Sequence, residues 1–306
     1  MNRVVFLGLI LTLLLISCKN QPVQQYEPEA EPSTEQQAKE FVSEDPGVNE
    51  SSEVKEIIYS MYLPTDMAEL FNRPGTNFNP QLTAPVNVLP LYSDPEQMAV
   101  MLGVLGVDLS YMKIMQQTSL AAEYYTSIKV LSGNLQIPHK IFEKATRKLE
   151  HNIGNQDSLA AVIESVYAET DAFFNENGNE NLASLSLLGG WIEAMYIGVS
   201  IYEEEEGNRD MANKILQQKF TLNSIYSILG SHQESLRVTR YLLMVKRLRK
   251  EFDKVEIRYP IEGFSVDTTQ KRIQTSNVQI QYEPETLADI NKIITRMREQ
   301  LISIDD

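Results

Sequence analysis

The stretch DPEQMAVMLGVLGVDLSYMKIM, residues 94–115, carries three acids and one lysine among otherwise uncharged residues, and it decides the fold class. Asp94 is a favourable capping residue and Pro95 suits a first helical turn, so a long helix is predicted to begin here. Apolar residues recur every three or four positions, which predicts one apolar stripe facing a core. The stripe consists of Met98, Met101, Leu102, Leu105, Leu109 and Met112.

The same apolar spacing continues through most of the following chain. One segment, 257–282, breaks it: Val278–Tyr282 alternates with period two, which predicts a short strand or extended arm. Ser231–Glu234 has the pattern of a capping box that opens a helix. We therefore predict an all-α fold, a multi-helix bundle or stacked helical hairpins of about seven to nine helices, with one irregular excursion near 257–282. Further helices are predicted at 118–132, 139–153, 156–175, 180–206, 209–229, 231–255 and from 284 onward.

The N-terminus has the pattern of an export signal. Arg3 precedes the uncharged run Val4–Ile16, which is shorter than the roughly 20 residues that span a membrane. Leu15–Cys18 reads LISC, which resembles the lipobox of bacterial lipoproteins, and Cys18 is the only cysteine in the chain. The resemblance implies that residues 1–17 are removed and that Cys18 is acylated with fatty acids such as palmitate. Two or more acyl chains would anchor the protein stably in a membrane.

The chain behind Cys18 divides into two parts. Residues 18–53 are rich in Gln, Glu, Pro and Ser, which predicts a disordered acidic tether. Residues 54–306 are predicted to form a single helical domain. We expect the protein in the bacterial cell envelope, most favourably at the outer membrane, with the periplasmic and the surface face both left open.

Charge limits the partners. The net charge of −15 argues against a nucleic-acid partner. One segment is basic, however, and the favoured interpretation is charge matching within the domain, for example to Glu203–Glu206 or to Asp305 and Asp306. The alternative is a helix face that binds an anionic partner, such as lipid headgroups, a wall polymer or another envelope protein. The basic residues are Arg237, Arg240, Arg247 and Lys250.

Two acids lie in apolar surroundings. Asp108 and Glu193 have uncharged neighbours three and four positions away, so both are predicted to be at least partly buried. A buried carboxylate needs a hydrogen bond, an opposite charge or a proton. The favoured interpretation is a partner on an adjacent helix, namely a tyrosine hydroxyl, an arginine or a backbone amide. The alternative is a pocket for a ligand or a cation such as calcium, to which Glu164 or Asp171 would also contribute. Its further candidate residues are Tyr111, Tyr196 and Trp191, with Tyr167 as an additional tyrosine.

Glycines interrupt the same two helices. Gly103 lies in one of them and Gly189 in the other, and each lowers helix propensity by about 1 kcal/mol relative to alanine. Close approach of two helix backbones is the favoured compensation. A ligand lying against exposed backbone is the alternative.

Motifs of enzymes are lacking. The sequence has no H-E-x-x-H, G-x-S-x-G, P-loop or G-x-G-x-x-G pattern. No catalytic residue, metal or cofactor is predicted. The expected function is a non-catalytic binding or scaffold module, with a carboxylate-based enzyme or a small-ligand or cation-binding protein that uses Asp108 and Glu193 as the alternative.

Three segments resemble a family of helical lipoproteins from Gram-negative bacteria. They are LGVLGVDLSY (102–111), DSLAAVIESVYAETDAFF (157–174) and LLGGWIEAMYIG (187–198). The resemblance implies a location in the envelope and a helical shape. It implies no activity.

Overall fold

The structure is a computed structural model that describes residues 71, 77–87, 92–151, 156–204, 208–258, 264–267, 272–275 and 278–303. The predicted all-α multi-helix fold is confirmed. The helices are α1 (Pro95–Ile114), α2 (Thr118–Asn134), α3 (His139–His151), α4 (Gln156–Glu176), α5 (Glu180–Glu204), α6 (Arg209–Gln217), α7 (Lys219–Gly230), α8 (Leu236–Phe252) and α9 (Pro284–Ile302).

Helix α5 occupies the centre of the domain. It packs against α1, α4, α6, α7 and α9, and a single 3-10 turn, Pro80–Leu82, also contacts it. Helix α1 lies against α5 and also contacts α2, α4 and α9. Helix α8 lies further out, on α7 and α9.

Helix α1 begins as predicted, but it does not have the predicted single stripe. The Asp94 side chain accepts a hydrogen bond from the Glu96 amide. From Gln97 to Met112, only Gly106 and Leu109 are more than slightly exposed. The prediction of one apolar stripe was therefore wrong, because a helix that neighbours cover on every side is apolar all round.

Helices α1 and α5 cross at glycines. A Cβ atom on Gly103 would lie 1.9 Å from the Ser186 carbonyl oxygen, and one on Gly189 would lie 2.2 Å from the Val100 carbonyl oxygen. Both positions therefore require glycine. The predicted close approach of the two helix backbones is confirmed. Glu96 contacts Asn181 near the start of both helices, so α1 and α5 run parallel.

Two predicted helix boundaries were wrong. The single helix predicted for 209–229 is divided at Gln218, whose amide bonds the Ile215 carbonyl in a tighter turn. The side chain of Gln218 is buried and accepts a hydrogen bond from Trp191, a tertiary contact that local pattern does not reveal. The capping residue of α8 is Ser235, which accepts from the Val238 amide. Ser231 instead ends α7, where its hydroxyl donates to the Ile228 carbonyl.

The predicted excursion is extended chain with antiparallel pairing. Strand β1 (Glu256–Arg258) pairs with β4 (Gln279–Gln281), and β2 (Phe264–Asp267) pairs with β3 (Arg272–Thr275). In sequence β2 and β3 lie between β1 and β4, and each pair forms its own two-stranded sheet. Ile280 points into the core and its neighbours are exposed, which explains the period-two pattern.

Helices α1 and α5 are each long and apolar enough to cross a membrane by length and composition. In the domain, however, 78% and 89% of their most apolar stretches are buried by other parts of the chain. Such burial is typical of helices at the core of a helical domain.

Candidate functional site

The two carboxylates singled out from the sequence meet in the core. Asp108 on α1 and Glu193 on α5 both have 0% of their surface exposed. The parallel course of the two helices places these positions at the same level of the bundle. The structure thus brings together two acids that lie 85 residues apart in sequence.

Arg298 of α9 neutralises this pair. Its Nε and Nη2 atoms each donate to one Glu193 carboxylate oxygen, both at 3.0 Å. A bidentate contact of this kind is the strongest form of a carboxylate–guanidinium pair. The guanidinium also lies 4.6 Å from the centre of the Tyr196 ring, so its outer face is covered by an aromatic side chain.

A short segment, residues 79–84, closes the site from outside. We call it the strap. The Ala84 amide donates to Asp108 Oδ2 at 2.9 Å, and Arg298 Nη2 donates to the Leu82 carbonyl at 3.4 Å. Tyr124 of α2 donates to the Ala84 carbonyl at 2.5 Å, and burial raises the pKa of Tyr124 to about 12, so its proton is retained. These bonds fix the strap to α1, α2 and α9.

Burial changes the pKa of both acids. Burial raises the pKa of Asp108 well above its ordinary value, and the adjacent Glu193 carboxylate raises it further. Burial also raises the pKa of Glu193, but Arg298 and a hydrogen bond from Asp108 oppose that rise. Asp108 Oδ1 is buried and has no hydrogen-bond partner among the described residues, so no donor there stabilises its charged form. The neutral form is therefore favoured more strongly at Asp108 than at Glu193, where Arg298 favours the charged form.

Two further candidates of the predicted pocket, Tyr111 and Trp191, do not contact the acid pair. Tyr111 is buried, accepts a hydrogen bond from the Asn79 amide at 3.1 Å, and packs against Phe78. It supports the strap and does not bond the acids. Trp191 lies two residues before Glu193, so it points to another face of α5 and donates to Gln218 Oε1 at 3.4 Å.

The other acids considered do not join the pair. Asp171 of α4 is half-buried and accepts a hydrogen bond from Asn175. The side chains of Glu164 and Tyr167 lie outside the described part of the chain. Within the described part, no three His, Cys, Asp or Glu side chains cluster in a way that could hold a metal ion.

The predicted basic patch divides into two. Arg237 turns inward and contacts Asp94 at 2.7 Å and Gln97 at 2.6 Å, so it joins the start of α8 to the start of α1. Charge matching within the domain is thus realised for Arg237, with Asp94 rather than the predicted acids. Arg240, Arg247 and Lys250 are exposed along the outer side of α8.

An open polar cleft of about 250 Å³ lies where α1, α5 and α8 begin. Glu96 of α1 accepts hydrogen bonds from two of the residues that line the cleft, Asn181 and Ser235, each at 2.8 Å. His232 lies 3.9 Å from Glu180 across the cleft. These side chains bond one another, so the arrangement joins three helix ends. The lining residues are Gly178, Glu180, Asn181, His232, Glu234 and Ser235.

Sequence reasoning missed Arg298, although a signal was present. Arg298 follows Ile294 by four residues and precedes Leu301 by three, so it lies on the apolar face of α9. A cation on such a face needs a buried acid, and Asp108 and Glu193 were the acids that lacked a partner. No comparable signal identifies the Ala84 amide, because a backbone donor carries no sequence pattern.

Comparison with known proteins gives no match to a protein-family model, a curated protein or a solved structure. The resemblance to helical lipoproteins therefore stays a prediction. Cys18, the signal segment 1–17 and the tether 18–53 lie outside the described residues.

Proposed function

We propose that this chain is a lipid-anchored protein of the bacterial cell envelope whose helical domain binds a partner and does not catalyse a reaction. The sequence LISC at 15–18, after an uncharged run, supports the anchor. The observation that carries the second half of the proposal is the closure of the acid pair. Asp108 and Glu193 are the carboxylates best placed for acid–base chemistry, and both are completely buried.

Catalysis by a carboxylate pair requires that substrate reach both acids. Here Arg298 occupies both oxygens of Glu193, and the strap occupies one oxygen of Asp108. Every polar contact of the pair joins helices or the strap to one another. The pair therefore has a structural role: it joins the helices and the strap, and we call it the lock. A partner would bind on the outer surface of the domain.

The anchor is tested by mass spectrometry of the protein purified from membranes of a bacterial host. We expect a mature N-terminus at Cys18 that carries a diacylglyceryl group and an acylated amine. Cys18→Ala should lose the lipid and retain the signal segment, because the acceptor thiol is gone. Ser17→Ala is the matched control: a small residue still precedes Cys18, so acylation should be unchanged.

Two results would contradict the proposal. One is a wild-type chain that still begins at Met1. The other is a wild-type protein whose Cys18 thiol is unmodified and which sediments with membranes no more than the Cys18→Ala variant does.

A further inference from the structure

The outer side of α8 has a charge opposite to that of the rest of the protein. Residues 219–252, which span α7 and α8, contain seven lysines and arginines and two acids, Glu234 and Glu251, whereas the whole chain carries a net charge of −15. Helix α7 contributes no acid at all. Charge is therefore unevenly distributed: the surface of α7 and α8 is basic, whereas the chain as a whole is acidic.

The exposed residues of α8 form a line along the helix. Leu236, Arg240, Leu243, Arg247 and Lys250 follow one another at spacings of four and three, which places them on one side. Leu236 is 67% exposed, Leu243 is half-buried, and the three basic residues are exposed. We call this line the basic face. It combines positive charge with apolar side chains that no other part of the described domain covers fully.

The basic face is held rigidly. Arg249 of α8 donates to Asn223 of α7 at 2.8 Å, and its guanidinium lies 3.9 Å from the centre of the Tyr226 ring. Lys219 of α7 donates to the Val255 carbonyl at 3.0 Å, just beyond α8. Because these contacts fix α7 to α8, the exposed bases keep their spacing when the domain meets a partner.

We propose that the basic face docks the domain onto the anionic surface of a phospholipid bilayer. The exposed Leu236 and the half-buried Leu243 favour a bilayer over a soluble polyanion, because apolar side chains enter the headgroup region while bases meet lipid phosphates. This inference rests on the proposed lipid anchor. A tether of 36 residues spans on the order of 30–40 Å, so the anchor would hold the domain within reach of the same membrane.

Each basic side chain near an anionic bilayer strengthens association roughly fivefold. The three exposed bases of the basic face should therefore favour the docked state by at most about 100-fold over the same domain on a neutral bilayer, because Arg240 and Lys250 also interact within the protein. Screening should reverse docking, because the Debye length falls to about 3 Å at about 1 M salt.

The test uses the mature, lipidated chain reconstituted into vesicles. Cys18 is the only native cysteine and is consumed by lipid, so Leu236→Cys gives a single labelling site on the basic face for a fluorophore. Val130→Cys is the control site, since Val130 on α2 is 58% exposed and lies away from α8. Vesicles contain a nitroxide-headgroup lipid as quencher, with either phosphatidylcholine alone or an added fraction of phosphatidylglycerol.

We expect strong quenching at position 236 only in phosphatidylglycerol vesicles and its loss at high salt, with little quenching at position 130. Arg240→Glu with Arg247→Glu should abolish it. Lys113→Glu with Lys129→Glu, which changes two exposed lysines and the net charge equally, should retain it. Circular dichroism checks folding, and Arg240→Gln with Arg247→Gln is the milder variant, expected to lose roughly 30-fold in docking.

Equal quenching at positions 236 and 130, or quenching at 236 that survives the charge reversal in a folded protein, would overturn the inference. Salt-sensitive binding to an anionic polysaccharide without quenching on vesicles would also overturn it. Failure of the wild-type chain to float with phosphatidylcholine vesicles would instead contradict the proposed anchor, so the two failures are distinguishable.

Discussion

At the scale of single residues, the acid pair is an unusual choice for the centre of an apolar bundle. Removing carboxylates from water is costly, and the cost is offset only when charge and hydrogen bonds are satisfied. Glu193 meets this condition through Arg298, and Asp108 accepts from the Ala84 amide while burial raises its pKa and so favours its neutral form. The two acids therefore have different roles, and their substitutions should differ.

Asp108→Asn should be tolerated at neutral pH. The asparagine oxygen can accept from the Ala84 amide and its NH2 can donate to Glu193, so it replaces a protonated aspartate. Because the pKa of folded Asp108 is raised, unfolded Asp108 releases a proton that the folded form retains, and wild-type stability falls as pH rises.

The stability of wild type relative to Asp108→Asn should be greatest below the ordinary aspartate pKa of 3.8 and should fall by about 1.4 kcal/mol per pH unit above it, until folded Asp108 ionises. Urea unfolding at several pH values measures this difference. A difference that is independent of pH would contradict a protonated Asp108.

Glu193→Gln should be much more damaging. The change leaves the buried Arg298 guanidinium without its carboxylate. It also places the glutamine NH2 group against an N–H donor of Arg298. We expect a loss of about 3–5 kcal/mol in unfolding free energy, as for other broken buried ion pairs. Denaturant unfolding beside Asp108→Asn provides the matched comparison, and equal effects of the two changes would contradict the assigned charges.

At the scale of elements, the crossing of α1 and α5 positions the acid pair. Gly103 and Gly189 allow the two backbones to approach until side chains near the middle of both helices meet. Parallel helices in this contact bring Asp108 and Glu193 to one level. The crossing and the pair therefore depend on the same small residues.

Gly103→Ala should destabilise the domain although alanine is the better helix former. Its Cβ would lie 1.9 Å from the Ser186 carbonyl oxygen, which is backbone and can move only if the helices separate. A loss of about 3 kcal/mol or more is expected in thermal or denaturant unfolding. Gly133→Ala on α2 is the control, because nothing lies within 4 Å of the added atom, and it should stabilise by about 0.5–1 kcal/mol. Similar effects at both glycines would contradict the close crossing.

The elements also show how far sequence pattern reaches. Apolar periodicity and the Asp94–Pro95 start predicted most helices, because these signals are local. The break at Gln218 depends on Trp191, which is distant in sequence, and local pattern therefore missed it. Ser231 and Ser235 both fit a helix start, and only the structure distinguishes the end of α7 from the start of α8.

At the scale of the whole molecule, the buried lock and the exposed basic face are separate features. The lock joins α1, α5, α9 and the strap, while the basic face lies on α8. The apolar and charged patterns that predict them were both visible in sequence. Their division into an interior and an exterior role was not, because it depends on which helix covers which face.

The central claim is that the acid pair is closed to solvent and that the domain acts through its surface. Carbodiimide coupling of carboxylates to an amine, read peptide by peptide by mass spectrometry on the folded protein, tests it most directly. Glu180 and Asp253, with side chains 47% and 63% exposed, should react readily. Asp108 and Glu193 should react only after the chain is unfolded in denaturant. Modification of either acid in the folded protein at a rate near that of Glu180 would contradict the claim and favour a carboxylate-based enzyme.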